Sequence, residues 1–183
     1  PMANLFYETG LFEFTAPNFV RLQGFASNDD YYSYQWNLKN TGQYRLPAGP
    51  DIQVERAWTL TRGAGIKVAV LDVGVNLTHE DLQDNLLPGY DATGQNTFGG
   101  PYYSDDEQGT PVAGIIGAIK DNGKGVRGVA PECKIIPVRV GMGTSIGDVW
   151  STAGMNWARQ NGADVINCSW GGGQPNAQLT TAI

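Results

Sequence analysis

An acidic residue, Asp72, ends a continuous apolar run at Val68–Leu71. That composition is typical of a parallel strand whose two faces are both covered. In open α/β sheets, the side chains that do chemistry lie just beyond the carboxyl ends of the strands. The pattern therefore predicts a carboxylate held at the functional edge of a sheet. For an isolated strand of this kind, an Asp that only caps a turn is the competing interpretation.

Two further segments could line the same edge. The segment 108–114 predicts a Gly-Thr turn that opens an apolar helix, with Pro111 in the first turn, where its missing N–H is tolerated. The run 165–168 predicts another strand, and a Ser-Trp-Gly-Gly sequence follows it at 169–172. Gln108 can form hydrogen bonds, but its amide cannot accept a proton near neutral pH. This residue therefore cannot act as a general base.

Strands alternate with helices along the chain. Short apolar runs predict buried strands, and apolar residues at helical spacing predict helices. The alternation predicts a three-layer, doubly wound α/β fold, in which helices cover both faces of a mostly parallel sheet. The predicted strands are 66–71, 86–90, 134–140 and 165–168, and the predicted helices are 51–60, 109–119, 146–161 and 177–183.

Taken together, the segments around Asp72, Gln108 and Ser169 closely resemble the amino-terminal part of the subtilisin-like serine proteases. The resemblance covers roughly residues 28–183. It implies that Asp72 is the catalytic acid, which orients and charge-stabilises a His. It also implies that the nucleophilic Ser and the carboxyl-terminal half of the sheet lie outside this chain. The reaction implied is peptide-bond hydrolysis through an acyl-enzyme.

Two residues depart from the family pattern. Gln108 stands where the resemblance places the catalytic His, which takes a proton from the Ser hydroxyl and returns it to the leaving amine. We therefore expect this chain to be inactive, as a natural pseudoprotease or as an engineered variant. Val73 stands where a Ser or Thr commonly supports the carboxylate, so weaker support is expected for Asp72. His79, the only histidine, matches a surface position of the family rather than the base.

The resemblance also implies a peptide-binding cleft. In the family, an extended peptide lies as an added strand between two segments and is held by backbone hydrogen bonds. Glycines at such positions let the peptide backbone approach closely. Ordinary Gly-rich loops between strands and helices are the alternative. The matching residues here are Gly141, Met142 and Gly143 on one side and Ser169, Trp170 and Gly171 on the other.

The segment 120–126 resembles the high-affinity calcium loop of the family. Calcium takes about six to eight oxygen ligands, and a Gly-rich turn can direct several carbonyls inward. A surface turn without a metal is the alternative. The matching ligands are the side chains of Asp29, Asp81 and Asn122 and the backbone carbonyls of Lys120, Lys124 and Val126.

The first 27 residues differ in pattern from the rest of the chain. Apolar and polar residues alternate in two short runs, 10–17 and 19–22, which predicts β-strands. These strands resemble the last strand and exit segment of a subtilisin pro-region. An amino-terminal strand of the main sheet is the alternative. The predicted organisation is the end of a pro-region at 1–27 and the amino-terminal portion of a peptidase domain at 28–183, with the pro-region and the carboxyl-terminal half as partners.

Composition argues against several other functions. The chain has 18 Asp and Glu residues against 12 Lys and Arg, a net charge of −6, and no basic cluster that could follow a phosphate backbone. Nucleic acid is therefore not an expected partner. No apolar run approaches the ~20 residues that span a bilayer, and the first residues lack the pattern of a signal peptide. Cys133 and Cys168 are expected to be free, because the family fold would place them on strands that are not neighbours.

The predicted function is that of a subtilisin-like serine endopeptidase acting on peptide or protein substrates, in a form inactivated at residue 108. The family implies secretion or attachment to the cell envelope. A peptide-binding pseudoprotease and a folding or assembly module are the alternative functions.

Overall fold

A parallel sheet lies at the centre of the protein. The computed structural model describes residues 27–45, 47–172 and 177–182. The strands are β1 (Lys67–Asp72), β2 (Tyr90–Asp91), β3 (Lys134–Arg139), β4 (Gly141–Met142), β5 (Ser145–Ile146) and β6 (Val165–Cys168). Four of them form one sheet in the order β2-β3-β1-β6, and every neighbouring pair is parallel. The antiparallel pair of β4 and β5 forms a separate hairpin directly after β3.

Helices cover both faces of this sheet, as the sequence predicts. They are α1 (Val54–Ala57), α2 (Gly109–Gly117), α3 (Asp148–Gln160) and α4 (Ala177–Ala182). In β1, Val68 and Val70 pack in one apolar core with α2, whereas Ala69 and Leu71 pack in another with α3 and α4. Successive side chains of a strand point to opposite faces, so a strand covered on both faces must be apolar throughout. The predicted three-layer α/β fold is confirmed.

The helix predicted at 51–60 is wrong in its extent. Only Val54–Ala57 are helical, and Gln53, which precedes them, has a φ of 56° in the left-handed region. The carboxylate of Asp51 accepts hydrogen bonds from the backbone N–H groups of Gln53 at 2.8 Å and Asn40 at 2.9 Å. Such local bonds between an Asp side chain and the backbone compete with helix formation. The helix therefore begins later than its apolar pattern suggests.

The strand predicted at 86–90 is also shorter than expected. The main ladder with β3 contains only Tyr90 and Asp91, and Leu86 forms one isolated bridge to Ile135. Pro88 lies between these two contacts, and a proline has no N–H to donate to a ladder. The other predicted elements agree with the observed bounds to within two residues at each end.

A third apolar cluster anchors the segment that precedes β1. Its buried members are Tyr32, Leu38, Val54 and Trp58. The buried guanidinium of Arg127 lies against two of these rings, 5.0 Å from the ring centre of Tyr32 and 5.2 Å from that of Trp58. This contact attaches the amino-terminal segment to the loop that follows α2.

Three remaining predictions concern the chain as a whole. Both cysteines are free, as predicted, with Cys133 buried before β3 and Cys168 at the end of β6. Within the described ranges, no helix combines the length and the apolar character needed to cross a bilayer. The pro-region strands predicted at 1–27 lie outside the described residues, apart from Ser27.

Candidate active site

Asp72 ends β1 and is almost completely buried, with 1% of its surface exposed. Its Oδ1 accepts a hydrogen bond from the backbone N–H of Val73 at 2.8 Å. Its Oδ2 is buried without a hydrogen-bond partner among the described residues. Burial raises the pKa of this carboxyl, and the single bond from Val73 lowers it only in part. The site therefore contains a buried acid with one oxygen available to a donor.

Gln108 lies directly before α2, at the edge of the sheet that Asp72 occupies. The next residue, Gly109, packs so closely on the turn after β1 that a Cβ there would overlap the carbonyl oxygen of Gly74 and lie 3.0 Å from the Cβ of Asp72. This close approach places the start of α2, which residue 108 directly precedes, against the turn that follows the acid. The side chain of Gln108 is turned elsewhere, because its Nε2 donates to the backbone carbonyl of Ser169 at 2.8 Å.

The two segments predicted as walls of the peptide cleft follow strands of the same sheet. Gly141 and Met142 form β4, directly after β3, and their hairpin is closed by β5. On the other side, the indole Nε1 of Trp170 donates to the carbonyl of Leu71 at 2.8 Å, which fixes the segment after β6 against β1. Ser169 and Gly171 are exposed. Strand ends thus place both segments at the edge that holds the acid.

Two residues that the sequence analysis did not select also belong to this edge. Arg139, the last residue of β3, is fully buried and forms an ion pair with the buried Asp106 at 2.8 Å. A signal for both was present, since an arginine follows the apolar residues 135–138 at the end of its strand and an acidic run, 105–107, precedes Gln108. Charged residues are almost never fully buried unless they are paired, so each required a partner that the sequence did not identify.

The predicted calcium ligands Asp29, Asp81 and Asn122 are close together. The Nδ2 of Asn122 donates to Asp81 Oδ1 at 2.7 Å, and its backbone N–H donates to Asp29 Oδ1 at 3.1 Å. Asp81 Oδ2 accepts from the backbone N–H of Val126 at 2.9 Å, and Asp29 Oδ2 forms an ion pair with Arg127 at 3.1 Å. Burial raises the pKa of Asp81, and the negative charge of Asp29 raises it further, against the hydrogen bonds that lower it.

The side chains of the other residues in this loop point to different partners. Lys120 Nζ lies 3.3 Å from a carboxylate oxygen of Glu132, and Lys124 Nζ lies 3.3 Å from one of Glu80. Only the backbone carbonyls of these lysines are predicted ligands. Nδ1 of His79 accepts the backbone N–H of Asp81 at 3.2 Å, which gives this histidine a structural role in the same turn. No group of three or more His, Cys, Asp or Glu side chains that could hold a metal occurs within the described ranges.

The fold defines this chain as part of a doubly wound α/β protein, and its candidate functional groups lie at the carboxyl edge of the sheet. A model of the subtilase family, Peptidase_S8, matches residues 63–182. The chain therefore belongs to the subtilase family, whose members are serine proteases.

Individual relatives agree with this assignment. The chain is 36% identical over 142 residues to a calcium-dependent protease of Nostoc sp., and this match covers 76% of the chain and 21% of that protein. It is 39% identical over 153 residues to a cell wall-associated protease of Bacillus subtilis, and this match covers 80% of the chain and 17% of that protein. A solved protease structure from Pseudoalteromonas arctica is 31% identical with a TM-score of 0.68, over 85% of this chain and 54% of the other. The chain thus spans about a fifth of the length of the two relatives.

Replacing Asp72 by Asn is expected to raise the midpoint of thermal unfolding at neutral pH. The ionised carboxylate opposes folding, because burial raises its pKa and one oxygen lacks a partner among the described residues. Because the pKa of Asp72 is raised in the folded protein, the cost of ionising it is absent at a pH below ~3.9, the pKa of an Asp in the unfolded chain. This cost to stability grows as the pH rises through the pKa that Asp72 has in the folded protein. Calorimetry from pH 4 to pH 8 should therefore show a widening difference between the two proteins. The exposed Asp84→Asn is the control, and a variant less stable than its parent at pH 7 would contradict the prediction.

Proposed function

We propose that this chain forms the amino-terminal part of a subtilisin-like serine endopeptidase domain, and that the form with Gln108 does not hydrolyse peptides. The observation that supports this proposal most strongly is the buried Asp72, whose Oδ2 has no partner among the described residues at the edge where α2 begins. An imidazole at residue 108 would bring an N–H donor to this edge. The amide of Gln108 instead donates to Ser169.

The proposed reaction needs a base that Gln108 cannot supply. In a serine protease the His takes the proton of the Ser hydroxyl and later gives it to the leaving amine, while the acid orients the imidazole and stabilises its charged form. Asp72 is suited to the second task, because electrostatic interactions are stronger in a buried environment. An amide nitrogen accepts no proton near neutral pH. Gln108 therefore removes proton transfer from the site and leaves the rest of the scaffold in place.

The carboxyl-terminal half of the same domain is a proposed partner, which would supply the nucleophilic Ser and the oxyanion donors. The outer side of β6 supports this proposal. Val165 and Ile166 of this strand are exposed, and a cavity of about 500 Å³ lies beside it, lined in part by Met155 and Leu179. Among the described residues, no strand pairs with the outer edge of β6, and an apolar strand with an unpaired edge readily pairs with another strand. We expect a further strand of the domain to cover this edge.

Peptide binding without hydrolysis is the second candidate function. It is favoured by the two wall segments, which the ends of β3 and β6 place at one edge of the sheet and which need no base to hold a peptide. In the form with Gln108, the hydrogen bond of its amide occupies the Ser169 carbonyl, on the wall where an extended peptide would be held. Both candidate functions therefore require a cleft that binds an extended peptide, and they differ only in turnover.

Gln108→Ala is expected to strengthen the binding of an uncleavable extended peptide to the protein expressed from the complete reading frame. Removing the amide frees the Ser169 carbonyl for the peptide, and one hydrogen bond of ~1 kcal/mol corresponds to about fivefold in affinity. Isothermal titration calorimetry measures this change. Gln160→Ala, at the exposed end of α3, is the matched control and should leave affinity unchanged. Absence of peptide binding to both the parent and the Gln108→Ala protein would count against the cleft and against both candidate functions.

Calcium is the proposed cofactor. The donor set suits a hard divalent cation, because Asp29 and Asp81 are buried carboxylates and Asn122 contributes an amide. The two carboxylates also repel each other, and a bound cation would relieve that repulsion. In addition, one relative is named a calcium-dependent protease. The ion would be held by these three side chains with the backbone carbonyls of Lys120, Lys124 and Val126. When bound, it would stabilise the attachment of the amino-terminal segment to the loop after α2.

We also propose that the protein acts outside the cytoplasm, as a secreted or cell-envelope protein, and that residues 1–27 are the end of its pro-region. The location is supported by a relative that is named a cell wall-associated protease. The pro-region is supported by the alternating pattern of residues 10–17 and 19–22 and by its place before the family match at 63–182.

A further inference from the structure

A buried ion pair connects separate parts of the candidate site. Arg139 is fully buried and lies beside Asp72 in the register of the sheet. Its Nε donates to the carbonyl of Val73 at 3.0 Å, and its Nη2 donates to Asp106 Oδ2 at 2.8 Å. The guanidinium thus joins the turn after the acid to the segment that leads into Gln108.

Asp106 extends this connection to the peptide cleft. Its Oδ1 accepts the backbone N–H of Gly143 at 2.6 Å, and its Oδ2 accepts those of Tyr102 and Tyr103 at 2.9 Å each. Burial acts to raise the pKa of Asp106. The three backbone N–H bonds and the bond from Arg139 outweigh burial and lower this pKa to about 2. The pair is therefore ionised at neutral pH, and both carboxylate oxygens accept hydrogen bonds.

Stability alone does not explain this arrangement. The cost of desolvating two buried charges offsets much of their attraction, and apolar residues of similar volume often stabilise a fold equally well. A guanidinium does provide geometry, because its donors point in fixed directions. Nη1 of Arg139 also has defined partners, because it donates to Thr93 Oγ1 and lies 3.8 Å from Asp91 Oδ1.

We propose that Arg139 and Asp106 are positioning residues, which hold residue 108 and the cleft wall at Gly143 in a set position relative to Asp72. The inference rests on the proposed function, and neither residue is expected to touch the substrate. A displacement of reacting groups by ~1 Å can cost ~10²-fold in rate. Breaking the pair should therefore impair the site in a protein that still folds.

The experiment uses the protein expressed from the complete reading frame with the change Gln108→His. In this background, Asp106→Asn and Arg139→Met should each lower kcat for a peptide substrate by about tenfold or more. Arg139→Lys retains the charge but not the planar fork of donors, so it should recover only part of the loss. These variants separate the geometric role of the guanidinium from its charge.

A second measurement does not depend on turnover. An imidazole introduced by Gln108→His and held beside the ionised Asp72 should have a pKa above the usual value of ~6.5, as measured by NMR titration. In the Asp106→Asn and Arg139→Met proteins this pKa should move back toward the usual value. The measurement reports on positioning even if the Gln108→His protein hydrolyses nothing, an outcome that would count against the proposed function alone.

Leu38→Ala is the control for a general loss of stability, because Leu38 is buried in the amino-terminal apolar cluster. It should lower the melting temperature without shifting the imidazole pKa. The proposal is overturned by an unshifted imidazole pKa in the folded Asp106→Asn and Arg139→Met proteins, or by an equal shift in Leu38→Ala. If Arg139→Met does not fold, Asp106→Asn and Arg139→Lys decide the question by the same two readouts.

Discussion

The change Gln108→His is expected to convert the protein from the complete reading frame into an active peptidase. Residue 108 directly precedes Gly109, which packs against the turn after the buried Asp72, and Asp72 Oδ2 lacks a partner among the described residues. An imidazole at residue 108 is therefore expected to gain both an orienting acid and the capacity to carry a proton. In subtilisin, a member of the same family, loss of the His costs ~10⁶-fold in kcat. The gain from restoring the base should approach that factor when the remainder of the site is intact.

Hydrolysis of casein and labelling by a serine-directed fluorophosphonate measure this gain. Gln160→His is the matched control, because it adds the same side chain at the exposed end of α3 and should restore neither reaction. Adding Asp72→Asn to the active variant should remove ~10⁴-fold of the recovered kcat, by analogy with the loss of the acid in other serine proteases. A folded Gln108→His protein that is not labelled would favour the peptide-binding pseudoprotease. Robust hydrolysis by the unmodified protein would contradict the role assigned to Gln108.

The second large effect is expected from calcium. An ion that binds only the folded state stabilises it by ~4 kcal/mol at a thousandfold excess over its dissociation constant. For a domain of about 150–250 residues this corresponds to roughly 10 °C in melting temperature, and for a larger domain to somewhat less. The gain would arise because a bound ion compensates the like charges of Asp29 and Asp81 and links the amino-terminal segment to the loop at Asn122. Thermal melts of the protein from the complete reading frame, in calcium chloride and in chelator, measure it.

Asp81→Asn is the informative variant for this site. It preserves the shape of the side chain and removes one of the two charges, so the melting temperature should lose most of its dependence on calcium. Asp30→Asn removes a charge from an exposed neighbour of Asp29 and should keep that dependence. Melting curves of properly folded protein that coincide in calcium and in chelator would rule out the site.

Much of the fold was predictable, because the apolar pattern of each element reflects how it is covered. The run before Asp72 contacts a core on either side, so every residue in it is apolar and the strand is recognisable. The two failures have local chemical causes. The carboxylate of Asp51 turns the backbone before α1, and Pro88 interrupts the ladder before β2. Both effects depend on backbone hydrogen bonds, and the spacing of apolar residues carries no information about those bonds.

The sequence by itself determined the family, the acid at the sheet edge and the absence of a base at residue 108, because residue type and spacing along the chain are sufficient for each. Only the tertiary structure decided which groups these residues meet. Gln108 bonds to Ser169, and Arg139 pairs with Asp106, although each pair is far apart in the chain. Parallel strands bring distant segments to one edge, and a buried charge there must take its partner from whatever segment arrives beside it. Hydrogen-bond partners at such an edge are therefore a property of the assembled sheet rather than of any single segment.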